Sequence, residues 1–223
     1  MNNENAEVTE KAKRIHDQAP SDQFAEFMRS GWAPSDYEGL EPLEVVTYAF
    51  ARRQVLSAAF PGIRLVLPAG GYKVRANDTD YQYRPHSAFA YYSGVQGADS
   101  TADAVLVMEP TEGGHLSYLY IHPRSTRDTD AFYRDAKYGE LWVGRRFTLA
   151  EAQARYQIDT RLVNDLEAFL KDGKETLIIR GEDTMVDGAV KKHDREEEFV
   201  TFTSEQRLVK DEYELRELQK AVD

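Results

Sequence analysis

The sequence predicts an α/β fold, and three observations point there. Apolar residues make up 41% of the 223 positions, enough to bury the core of one main domain. Helix-period stripes and strand-sized apolar runs occur along the same chain. Glycine, proline and polar clusters punctuate them as turns and stops.

The elements follow in order. Residues 1–20 are charged with few large apolar side chains, the composition of a frayed arm. Ser21 is placed to cap a helix carrying Phe24, Phe27 and Met28 on one face, and Gly31-Trp32-Ala33-Pro34 stops it. Pro42 opens a long amphipathic helix over about residues 43–60. Its stripe is Val45, Val46, Ala49, Phe50, Arg53, Leu56 and Phe60, and Pro61-Gly62 ends it.

A strand-rich block comes next. Residues 63–67 read as a buried strand with a turn at Ala69-Gly70-Gly71, and residues 89–92 as an extended aromatic run closed by Ser93-Gly94. Residues 104–108 and 116–121 form a hairpin across 111–114, and residues 141–143 are a short extended piece. Thr148 caps a helix over 149–156, Asp159 or Thr160 caps one over 161–170, and 176–179 is a further strand. The polar, acidic residues 181–198 read as loop with at most one turn of helix. Asp211 caps a final helix with Leu215, Leu218 and Val222 along one side and Glu212–Arg216 as an i,i+4 pair. An isolated helix of about a dozen residues is marginal in water, so this one is expected to pack against something beyond Asp223.

Composition excludes several classes. The net charge of −11 repels phosphate backbones and argues against nucleic acid as a partner. The compact basic pairs, Arg52-Arg53 and Arg145-Arg146, read as solvated ends of elements. No apolar stretch is long enough to span a membrane, and the polar first 14 residues are no secretory signal. Cysteine is absent, which removes disulfides and thiolate metal sites. Together these features predict a cytoplasmic protein.

No self-contained active site is visible. The histidines are His16, His86, His115, His122 and His193, and none forms an H-E-x-x-H pair. His115 and His122 are seven apart, so one strand would point them to opposite faces. Asp78-Thr79-Asp80 would face both carboxylates the same way on an extended chain, suited to a hard cation or an amine. It lacks the glycine and distal glutamate of a calcium loop. There is no G-x-S-x-G, and the glycine pairs 70–71 and 113–114 match no phosphate loop.

Two stretches stand apart. Residues 74–94 crowd aromatics with arginines and aspartates without an amphipathic period, and residues 139–146 read Gly-Glu-Leu-Trp-Val-Gly-Arg-Arg. The bland interpretation of both is a cross-packed aromatic sheet edge.

These stretches resemble the N-terminal domain of Xaa-Pro aminopeptidases (aminopeptidase P). An R-R-x-x-L helix, Arg52 to Leu56, precedes a strand. The aromatic block follows the family's R-x-x-D-x-x-Y-x-Y-R-x-x-S-x-F-x-Y-x-[ST]-G at Arg75, Asp78, Tyr81, Tyr83, Arg84, Ser87, Phe89, Tyr91, Ser93 and Gly94. The next family strand matches residues 103–108. E-x-W-x-G-R-R matches Glu140, Trp142, Gly144, Arg145 and Arg146. The family's junction with its catalytic domain matches Arg207, Lys210, Glu214, Leu215, Leu218 and Ala221. The matches keep their order over roughly residues 50–223, with residues 181–206 unaligned.

The resemblance implies a mixed β-sheet flanked by helices in a ribonuclease-H-like layout, the creatinase/prolidase N-terminal domain. It divides the chain into an arm over 1–20, the domain over 21–206, and a linker with first helix over 207–223 leading into a catalytic pita-bread domain. In that domain the family holds two manganese ions and cleaves the bond before a proline in the second position of a peptide. The implication is a fragment without its own catalytic residues or metal, from a homodimeric or homotetrameric peptidase. In tetrameric members the residues matching Asp78 and Trp142 reach a neighbouring subunit's active site, which makes these two the candidate substrate-binding residues. Two rivals share the framework: a metal-free, protein-binding relative, and a prolidase or creatinase. The Y-x-Y-R and W-x-G-R-R blocks favour aminopeptidase P.

Overall fold

A computed structural model describes residues 21–223; the arm expected over 1–20 lies outside the described residues. Chain contacts separate two compact units, one of residues up to Pro34 together with Ser125–Gly144, the other of Ser35–Arg124 with Arg145–Asp223.

The larger unit is built on a five-stranded sheet. Its strands are β1 (Arg64–Pro68), β4 (Val105–Thr111), β5 (Gly114–Ile121), β6 (Asp159–Leu162) and β7 (Thr176–Ile178), in the order β6-β5-β4-β1-β7. β1–β4 and β4–β5 are antiparallel, whereas β1–β7 and β5–β6 are parallel, so the sheet is mixed as the resemblance implied. Alternate residues of β1 feed two cores, which is why all five of its positions are buried. On one face Leu65, Leu67, Leu106 and Leu119 meet α2 (Val45–Ala59), α3 (Ser87–Ser93), α6 (Leu149–Tyr156) and α9 (Glu196–Glu205). On the other, Val66, Val107, Tyr120 and Ile178 meet α7 (Leu166–Leu170) and α8 (Thr184–Ala189). A separate hairpin pairs β2 (Val74–Ala76) with β3 (Thr79–Asp80), and α10 (Glu212–Val222) closes the described chain.

Among the described residues the smaller unit holds three helices, α1 (Asp22–Arg29), α4 (Ala131–Arg134) and α5 (Glu140–Val143). Its core is Ala25, Phe132 and Tyr133, with Met28 against them.

The caps at Ser21, Thr148 and Asp211 form as the sequence indicates, the latter two as complete capping boxes. Several expectations fail, each for a tertiary reason. Residues 89–92 are the helix α3, not an extended run. The His86 side chain caps its start, and Gly94 ends it at φ +77°, where a Cβ would lie 2.9 Å from Val45. A two-turn helix is too short to show a period, so its aromatics mimic a strand. Residues 141–143 are likewise one helical turn rather than an extended piece. The helix expected over 161–170 begins instead as β6, paired in parallel with β5, and turns helical only at Val163. The loop expected over 181–198 contains α8, capped by Asp183, and the start of α9. Val186 and Phe199 are fully buried there, and Arg180 ties the region together through Glu196 and the carbonyls of Asp187 and Val190.

Faces also shift. In α1 Ala25 and Met28 point inward while Phe27 is 72% exposed. In α2 Phe50 is exposed, and Arg52 and Arg53 are buried rather than solvated. Both guanidinium groups donate to backbone carbonyls of α3, Arg52 to Tyr91 and Arg53 to Tyr92. Burial pulls the Arg53 pKa down to about 10. Arg146 is buried as well. Arg216 pairs with Glu44 and reaches the Tyr48 hydroxyl, in place of the expected Glu212 contact. No helix among the described residues is long and apolar enough to cross a membrane.

Candidate functional site

Asp78 occupies the turn of the β2–β3 hairpin. The expected D-x-D does not form on one extended segment, because Asn77-Asp78 make the turn and only Asp80 lies in β3. Asn77 adopts φ 52°, a conformation asparagine tolerates better than most residues. Every residue of both short strands is exposed, so the hairpin has no core of its own. It is anchored at its base. The Tyr81 N–H donates to the Lys73 carbonyl at 2.9 Å, and the Tyr83 hydroxyl donates to the Gly70 carbonyl at 2.9 Å. Tyr72 and Tyr83 stack edge to face at 5.2 Å. Burial pushes the Tyr83 phenol well above its ordinary range, which keeps it a neutral donor. The arrangement is a fixed stem presenting an exposed carboxylate.

Trp142 sits on α5 in the smaller unit and is held differently. Its Nε1–H donates to the Tyr133 carbonyl at 2.7 Å, yet the side chain stays 62% exposed. With its polar edge satisfied, the indole offers an apolar face to solvent. The turn beneath it leaves no slack: a Cβ at Gly139 would lie 2.5 Å from the carbonyls of both Ala131 and Asp135. Glu140 is buried and accepts from Arg127 at 2.8 Å, and the Arg127 guanidinium lies 5.7 Å from the centre of the Phe132 ring. Arg127 is the supporting residue that sequence reasoning missed. Nothing at a separation of 13 residues signals such a pair. Asp78 and Trp142 belong to different units, and each stands here in its own setting.

Among the described residues no group of three or more histidine, aspartate or glutamate side chains comes together to hold a metal ion. The implied pair of manganese ions therefore finds no fitting donor set among the described residues.

A family model described as the aminopeptidase P N-terminal domain matches residues 49–179, more than half of the chain. Xaa-Pro aminopeptidase 1 of Streptomyces coelicolor is 46% identical over 207 residues, which cover 91% of this chain. The chain belongs to the aminopeptidase P N-terminal-domain family. The resemblance carried by the aromatic block and the Glu140–Arg146 block is thereby borne out. Xaa-Pro aminopeptidase 2 of the same organism is 42% identical over 207 residues, 91% of this chain and 43% of that protein. Since the match covers 41% of Xaa-Pro aminopeptidase 1, the chain spans about two fifths of the length of these curated relatives. Among solved structures, proline aminopeptidase P II from Yersinia pestis superposes with a TM-score of 0.59. The match covers 77% of this chain and 41% of that one at 22% identity. The low-pH form of E. coli aminopeptidase P gives 0.52 over 65% and 31% of the two chains at 24% identity. These structural likenesses show a shared fold.

Proposed function

We propose that the chain is the non-catalytic N-terminal part of an Xaa-Pro aminopeptidase, a cytoplasmic metallopeptidase that removes the residue preceding proline. Supporting this is the 46% identity across 91% of the chain to a protein more than twice as long. The two manganese ions and the catalytic residues belong, in this reading, to a following pita-bread domain, with residues 207–223 as the linker and first helix into it. The chain's own contribution is to oligomer assembly and to the shape of the substrate site.

Asp78 and Trp142 have chemistry that suits a peptide with a free amino terminus and proline in second position. An exposed carboxylate on a rigid stem can hold an ammonium group through charge-assisted hydrogen bonds. An indole whose N–H is already bonded can lay its face on a pyrrolidine ring. In a dimer or tetramer these residues would complete a neighbour's site.

Kinetics of the whole enzyme test this. Asp78→Ala and Trp142→Ala should each raise KM for an Xaa-Pro peptide about tenfold, with a smaller change in kcat. Wild-type constants in both variants would overturn the site assignment. The chain alone should release no amino acid from the same peptide, with or without added manganese. Measurable release would place catalysis within these residues.

A further inference from the structure

Arg84 of the aromatic block and Arg207 and Lys210 of the 207–221 block hold neither substrate nor metal in the peptidase reading. They come together on one cleft of about 800 Å³, within the larger unit, between the 82–87 segment, α2, α3 and α10. Val45, Pro85, Ala90 and Leu218 give the same cleft an apolar lining.

The charges facing it do not balance. Its acidic groups are engaged: Glu214 accepts from the Asp211 N–H and lies 3.5 Å from Arg52, and Glu217 pairs with Lys220 at 2.6 Å. Arg52 itself is held by Asp211 at 2.6 Å. Arg84, by contrast, is exposed and makes no ion pair or hydrogen bond among the described residues. Among the described residues Arg207 donates only to the Thr203 carbonyl, and Lys210 only to the carbonyls of Arg207 and Leu208. Three cations thus share one concavity without a carboxylate partner of their own among the described residues, and with Arg52 they outnumber its glutamates, Glu214 and Glu217, in a chain whose net charge is −11. A cleft with a surplus of one sign of charge focuses the field and concentrates counter-ions.

We propose that this cleft is a receptor for a carboxylate-bearing peptide segment. Its acidic groups meet Arg84, Arg207 and Lys210, and its apolar atoms lie on Val45, Pro85, Ala90 and Leu218. The volume falls within the range of sites for small ligands, about 300–1,000 Å³, which suits a short stretch of peptide rather than a folded surface. Neither the metal nor the scissile bond is involved, so the inference stands or falls apart from the peptidase reading.

Fluorescence anisotropy with fluorescein-labelled hexaglutamate tests it on the chain as it is, with labelled hexaserine as the neutral control. Hexaglutamate should bind saturably and hexaserine should not, and the affinity should fall as salt is raised. Arg84→Gln should weaken binding about tenfold. This variant disturbs no internal bond, so folding is not at stake. Lys210→Gln should weaken it in the same direction, whereas Arg75→Gln on the exposed β2 strand should leave it unchanged. The proposal is overturned if hexaglutamate binds no better than hexaserine, or if Arg75→Gln weakens binding as much as Arg84→Gln.

Discussion

At the start of β1, Arg64 is fully buried, with Glu109 at 2.5 Å, Asp172 at 2.6 Å and the Phe169 ring 4.4 Å beneath its guanidinium. The β2–β3 hairpin is also rich in charge, with Arg75, Asp78 and Asp80, but all three are exposed. The first set is satisfied internally, so its free energy goes into holding β1, β4 and the end of α7 together. The second set satisfies nothing among the described residues and is available to something else. In a chain this charged, burial with complete pairing marks structural charge, and exposure on a braced backbone marks charge free for binding.

Removing Arg64 breaks that contrast most severely. Arg64→Ala leaves Glu109 buried beside Lys174 alone, and urea unfolding should show a loss of about 3–5 kcal/mol. Arg75→Ala should stay within about 0.5 kcal/mol of wild type. Equal losses would mean that burial does not separate the two sets. Trp142 extends the comparison, since its exposure rests on a tight turn. Gly139→Ala should destabilise the smaller unit by about 1–3 kcal/mol, because the added methyl meets backbone carbonyls that cannot move independently. Thermal unfolding followed by tryptophan fluorescence would register it.

The Arg64 cluster also sets an acid limit. The hydrogen bond from Arg64 holds the Asp172 carboxyl at about 2, below its ordinary 3.8. Burial alone would raise the Glu109 carboxyl, but its bonds to Arg64 and Lys174 bring it below the usual range. Groups with depressed folded-state pKa values stabilise above their unfolded values, and that stability is lost as pH falls through the folded ones. Melting temperature should therefore decline between about pH 4 and pH 2, and Asp172→Asn should flatten the decline. The smallest effect belongs to Asp78→Ala, within about 0.5 kcal/mol of wild-type stability. A larger loss would reassign the hairpin tip to folding.

Much of the core was legible because periodicity reports burial directly. The β4–β5 hairpin and the capped helices α1, α6 and α10 lie where local signals put them. What failed was short or polar: α3 and α5 span two turns or fewer, and α8 and α9 lie in a segment whose acidic surface hides the buried Val186 and Phe199. Of the candidate site, Asp78 and Trp142 could be singled out by family pattern, but not how each is held.

By itself, then, the sequence determined the α/β class, most of the core and the family, because apolar spacing and local motifs act within a few residues. Only the tertiary structure decided that Arg52, Arg53 and Arg64 are internal, that Arg127 supports the turn beneath Trp142, and that Arg84 meets Arg207 and Lys210 across one cleft. Those outcomes depend on which distant carbonyls, carboxylates and rings a long cation reaches. No local pattern encodes that partner, because sheet pairing and helix packing bring it close only once the chain has folded.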